Sequence, residues 1–193
     1  MTRRKKMYEA AMLRETEKLL LEKGYEGFSF KALSANLDIA RSTIYEYYSH
    51  KDDLITDYMF ILVEKVMKEM ELIASATTGL ETMKEWLKMF MQYDQVHYMI
   101  SIRGQLDQSE SEIARNRLKQ MDGLHGKMFF MLSNQVKKAK DLGEVRVDLP
   151  NELVASFFFY SILSRPSNDQ NIDSLASMLN DIIENGVRPR KET

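Results

Sequence analysis

Arg41, Ser42, Thr43, Tyr45 and Tyr47 stand within seven consecutive residues. Guanidinium, hydroxyl and phenol groups are hydrogen-bond donors. Gathered on one short helix, they would donate to phosphate oxygens and to base edges in a major groove. Arg41 and Ser42, at the front of that segment, are placed to approach base edges, and arginine to guanine O6 and N7 is the commonest specific contact. Thr43, Tyr45 and Tyr47 would reach phosphates or a thymine methyl. Lys51 and the start of the helix it opens would hold a backbone phosphate. The arm Arg3-Arg4-Lys5-Lys6 could enter an adjacent minor groove or add counterion release.

Other chemistries find little footing. There is no Gly-rich phosphate loop, no nucleophile elbow and no recognisable pair of catalytic carboxylates. Asp107, Glu110 and Glu112 cluster where a helix begins, and acids there favour the helix dipole. The chain has no cysteine, and His50, His97 and His125 lack ligand spacing, so no metal site and no cofactor is expected. An enzyme is not expected either.

The elements that must position these donors are helical. Of 193 residues only 3 are proline and 8 glycine, and apolar positions recur at helical spacing with no alternating runs. Helices are predicted over 5–23, 30–37, 41–48, from Ser49 to about 74, from about 80 to 96, from Ser109 or Ser111 to 142, over 151–164 and over 172–183. Residues 97–107 read as a shorter helix or an irregular segment. The expectation is an all-α chain of about nine helices: a three-helix helix-turn-helix head over 1–50, then a helical effector-binding and dimerisation body over 51–193. Gly24 should end the first helix, Ser29 should cap the second, and Asp38 should take the turn. Ser49 with Asp52 approximates a capping box for the fourth. Leu33, Leu37, Ile39, Ile44 and Leu54 should close the head's small core.

Charge is uneven: residues 1–51 carry ten Lys and Arg against seven Asp and Glu, and the remainder 17 against 22. A basic head on an acidic body suits a chain of which only the head meets a polyanion. No run of about 18 apolar residues is present and no export signal precedes the first helix, so a cytoplasmic protein without a membrane span is expected.

Residues 24–54 resemble the DNA-binding signature of the tetracycline-repressor (TetR) family of bacterial transcription regulators. The resemblance rests on Gly24-Tyr25, Ser29-Phe30, Leu33-Ser34, Leu37, Ile39, Ser42-Thr43-Ile44-Tyr45, Tyr47-Tyr48, Lys51 and Leu54, all in family spacing. Beyond the first quarter the chain matches in length, in helical character and in the loop Asp148-Leu149-Pro150. Family members usually carry Ser or Thr where Ala40 stands and Gly where Asp38 stands. The resemblance implies phosphate contacts at Tyr45, Tyr47 and Lys51. The expected DNA-contacting set as a whole is Arg3, Arg4, Ser29, Arg41, Ser42, Thr43, Tyr45, Tyr47 and Lys51.

A reader this short contacts too few bases to be selective alone, and two-fold dimers solve this by reading two half-sites. Phe157, Phe158, Ile162, Leu175, Leu179, Ile182 and Ile183 supply an apolar dimer face on the last two helices. The resemblance implies a four-helix bundle there. It also implies an effector cavity among helices between residues 51 and 142. Methionines and aromatics crowd that stretch, and methionine adapts its shape to loosely specified apolar ligands. Trp86, Phe90, Tyr93, Met121, His125 and Phe129 are the candidate lining for a small apolar or amphipathic effector. The expected function is a ligand-responsive, homodimeric repressor on a near-palindromic duplex operator. The alternative is a helical dimer that binds another protein.

Overall fold

The computed structural model describes residues 3–163 and 172–188. Among them the regular elements are all helices: α1 (Arg3–Gly27), α2 (Phe30–Leu37), α3 (Arg41–Tyr45), α4 (Lys51–Ala76), α5 (Gly79–Met91), α6 (Asp94–Leu106), α7 (Glu112–Asp141), α8 (Asn151–Leu163) and α9 (Ile172–Val187). The chain forms two compact units, Met1–Glu64 with Tyr98–Asp122, and Lys65–His97 with Gly123–Thr193.

In the first unit, α1 packs on α2 and α2 on α3. Met12, Leu19, Leu33, Ile44, Leu54 and Ile55 are fully buried there. Leu37 and Ile39, expected in this core, are only half-buried. Gly24 does not end α1. It takes φ 71, ψ 176, a kink after which the chain makes one more turn to Gly27, closed by the Phe28 N–H on the Gly24 carbonyl at 3.1 Å. Ser29 caps α2 as expected, its Oγ accepting the Ala32 N–H at 3.2 Å. Asp38 adopts the left-handed conformation, φ 51, ψ 47, that the turn demands. At the start of α4 a single side-chain cap stands one residue on from the expected pair: the His50 N–H donates to Asp53 Oδ2 at 3.0 Å. Asp52 is employed elsewhere.

In the second unit, α5 is the central element and packs on both α8 and α9. Its buried face includes Leu80, Met83, Trp86, Leu87, Phe90 and Met91. Thr78 gives α5 no side-chain cap. Residues distant in sequence satisfy the first amides instead: the Gly79 N–H donates to Gln135 Oε1 at 3.0 Å and the Leu80 N–H to Glu144 Oε2 at 2.9 Å. The close approach of Glu144 requires a glycine. At Gly79, φ is +64 and a Cβ would lie 2.4 Å from Glu144 Oε2 and 3.3 Å from the Ala139 Cα. Gly79→Ala should therefore lower stability by about 1–3 kcal/mol, read from the urea midpoint. Gly143→Ala is the control. It shares a positive φ of +72 with open space around it, so it should lose clearly less. Equal losses would mean that the contact with Glu144 does not matter.

Candidate nucleic-acid interface

α3 is five residues long, and nothing that short holds itself together in water. It ends at Tyr45, earlier than the spacing predicts: the Tyr47 N–H turns back only three residues, to the Ile44 carbonyl at 2.9 Å, in place of the helical bond to Thr43. Ala40 at its N-cap makes no side-chain bond. The helix is held by what it buries. Ile44 points fully inward and Tyr48 is buried beside it. The Tyr48 hydroxyl donates to Asp57 Oδ2 at 3.0 Å. Burial, reinforced by that carboxylate, raises its pKa far above the ordinary phenol range, so it remains a neutral donor. The other Asp57 oxygen accepts from Arg117 at 2.5 Å, and the Arg117 guanidinium lies 4.5 Å from the Phe60 ring centroid.

With Ile44 and Tyr48 inward, the opposite stripe of the segment is exposed: Arg41, Ser42, Tyr45 and Glu46. These positions, i, i+1, i+4 and i+5, form one continuous helical face. Tyr45 is 57% exposed yet not loose, because its ring meets Phe30 edge-on with centroids 5.2 Å apart. Thr43 and Tyr47 are half-buried flanks of the stripe. Ser29 is exposed at the head of α2, and its hydroxyl proton is not used by the cap. The side chains of Arg3 and Arg4 lie outside the described residues.

Lys51 is partly engaged by the protein. Its Nζ donates to the Tyr25 carbonyl at 3.1 Å and stands 3.9 Å over the Tyr25 ring. An ammonium has three donors, so others are left for a phosphate. The Tyr25 hydroxyl donates to Asp52 Oδ1 at 2.8 Å. Asp52 Oδ2 accepts the Ser109 hydroxyl at 2.6 Å, and Asp53 accepts the Ser111 hydroxyl. Burial first, and Asp52 second, raise the Tyr25 pKa, which keeps that phenol a donor. The base of α4 is thus fastened to the end of α1 and to the turn between α6 and α7. Asp52, expected in a local cap, serves this cluster instead. Its partners lie 27, 57 and 58 positions apart and leave no local signal.

Residues 12–58 match the model for bacterial regulatory proteins of the tetR family. That match spans α1 to the start of α4. Solved structures share the fold of the chain over most of its length. A transcriptional regulator from Saccharomonospora viridis in complex with choline superposes with a TM-score of 0.78 at 13% identity, covering 96% of this chain and 100% of that one. FadR from Bacillus subtilis in complex with stearoyl-CoA gives 0.71 at 16% identity, over 93% and 99%. AibR in complex with isovaleryl coenzyme A and operator DNA gives 0.69 at 15% identity, over 90% and 96%. No curated protein matches the chain by sequence.

The other expected site residues fall as follows. Trp86 and Phe90 are buried in α5, and the Trp86 indole N–H donates to the Met70 carbonyl at 3.0 Å. The Tyr93 hydroxyl donates to Glu69 Oε2 at 2.5 Å. Burial and that carboxylate push its pKa up to about 12. Phe129 is half-buried and meets Phe159 edge-on at 6.4 Å, and His125 is half-buried. These five belong to the second unit, and buried Met121 to the first. Of the expected dimer face, Phe157 and Ile182 are exposed and Leu179 is half-buried. Phe158 is 1% exposed and is core of its own chain, because the inward stripe of α8 is Val154, Ala155, Phe158 and Ser161. The side chains of Ile162, Leu175 and Ile183 lie outside the described residues. No described helix is long and apolar enough to cross a membrane.

Proposed function

We propose that the chain is a TetR-family regulator: a cytoplasmic, ligand-responsive DNA-binding transcription regulator. It acts as a homodimeric repressor, leaving a near-palindromic operator when a small apolar or amphipathic effector binds. The observation that carries the reading is the exposed stripe Arg41, Ser42, Tyr45 and Glu46 on a helix whose opposite side is locked down by Ile44 and Tyr48. Residues 1–50 do the reading, and residues 51–193 sense and dimerise.

The dimer follows from what α8 and α9 leave uncovered. Leu153, Phe157 and Tyr160 are exposed at i, i+4 and i+7 on α8, and Met178 and Ile182 at i and i+4 on α9. Two such helices from each copy would bury both stripes in a four-helix bundle. The heads would then address half-sites one helical turn, about 34–36 Å, or a multiple of it apart. An apolar or amphipathic effector accords with the methionine-rich interior, Met67, Met70, Met83, Met89, Met91 and Met128 of the second unit all being buried. It accords also with stearoyl-CoA, an apolar chain on a polar head, in the complex of a structural relative. The effector must favour a state in which the heads no longer fit the grooves.

Salt tests the reading. Duplex affinity measured by fluorescence anisotropy should fall linearly with salt on logarithmic axes, through release of counterions from the contacted phosphates. A folded dimer with no salt-dependent duplex binding would instead be a protein-interaction module. Two variants divide the labour of the head. Arg41→Ala should cost about 1–3 kcal/mol on the preferred duplex and relax one base position, whereas Lys51→Ala should weaken all sequences alike and lessen the salt slope by about one. Uniform losses from both would remove Arg41 from base readout.

A further inference from the structure

The regulator reading leaves one residue of the exposed stripe without a role. Glu46 follows α3 with helical backbone angles, φ −67, ψ −18, and so continues its spiral. It is exposed beside Ser42, on the edge of the stripe opposite Arg41. Its carboxylate makes no hydrogen bond or ion pair among the described residues. Lys51, the nearest lysine in sequence, is drawn to the Tyr25 carbonyl and ring. An unneutralised carboxylate on a face that approaches a polyanion weakens binding everywhere unless it meets a donor.

A carboxylate only accepts, and the major groove offers it two donors, the cytosine N4 amino and the adenine N6 amino groups. Adenine places its N7 acceptor next to the amino group, where it repels the second carboxylate oxygen. Cytosine places no acceptor there. Resting on the regulator reading, we propose that Glu46 is a specificity-determining residue that accepts from a cytosine amino group in each half-site. It rejects the other bases by leaving its charge without a partner. Arg41 and Glu46 then read with opposite chemistry from the two edges of one stripe, a guanine by donation and a cytosine by acceptance.

The test compares the wild-type protein with Glu46→Gln, an exposed and nearly isosteric change, in parallel selections from a random duplex pool. Binding is then measured on the enriched duplex and on copies with the implicated cytosine replaced. The wild type should enrich a cytosine at one symmetric position per half-site, and replacing it should weaken binding about tenfold or more. Glu46→Gln should lose that requirement or move it to adenine, which glutamine reads through N6 and N7. An unchanged consensus in the variant, with affinity raised equally on every duplex, would show that Glu46 only repels phosphates and would overturn the inference alone. A wild-type protein that enriches nothing would overturn the regulator reading and this inference with it.

Discussion

Ile44→Ala should destabilise the protein by about 2–5 kcal/mol and take duplex binding with it. Ile44 is fully buried, and it sits in a helix too short to form without tertiary support. Removing its side chain leaves a cavity under α3 and frees the angle at which Arg41 and Tyr45 are presented. Urea unfolding and anisotropy on the selected duplex measure the two effects. Arg41→Ala supplies the contrast, since an exposed side chain can lose binding with stability intact. If Ile44→Ala bound as tightly as the wild type, the pose of the reading helix would not depend on what it buries.

Trp86→Ala should cost about 3–5 kcal/mol of stability. The indole is 1% exposed in α5, and its N–H is bonded to the Met70 carbonyl at 3.0 Å. Both the apolar body and the polar tip are therefore satisfied by the protein itself. Trp86→Phe keeps most of the burial and should cost less. Circular dichroism during urea unfolding measures both, since either change removes the only tryptophan and its fluorescence. A loss under about 1 kcal/mol for Trp86→Ala would mean that Trp86 lines a space kept open for a ligand rather than filling a core. In the wild type the same indole is a probe of its own unit. An effector bound near α5 should shift its emission.

The local rules of helix capping and turn chemistry read α2 from the sequence alone: Ser29 caps it, it runs Phe30–Leu37, and Asp38 turns left-handed after it. Those features depend on residues within a few positions of one another. Where the structure departs from expectation, the cause lies elsewhere in the chain or in a breaker that has no signature. The spacing predicts one helix from about residue 80 to 96 and leaves 97–107 open. The chain breaks instead at Gln92 and Tyr93, where three-residue turns onto Met89 and Phe90 replace the helical bonds. α6 then runs Asp94–Leu106. Neither glycine nor proline marks that break. The start of α5 reads as uncapped because its caps, Gln135 and Glu144, are more than 50 residues away. Asp52 reads as half of a capping box because Tyr25 and Ser109 are invisible to a local window.

The reading stripe itself was legible except for Glu46. Charge alone marks a glutamate as unfit for a polyanion. Only the burial of Ile44 and Tyr48 shows that Glu46 shares the outward face with Arg41 and Ser42. For α8 the sequence is apolar nearly all round, and periodicity could not divide inward from outward positions. The structure divides them, with Phe158 in and Phe157 out.

Whether α3 reads operator DNA from a symmetric dimer is decided by selecting duplexes from a random pool with the purified protein, at about 150 mM salt. An enriched near-palindrome is expected, with half-site centres one helical turn or a multiple apart. A folded dimer, refolded free of any bound ligand, that enriched no sequence would contradict it.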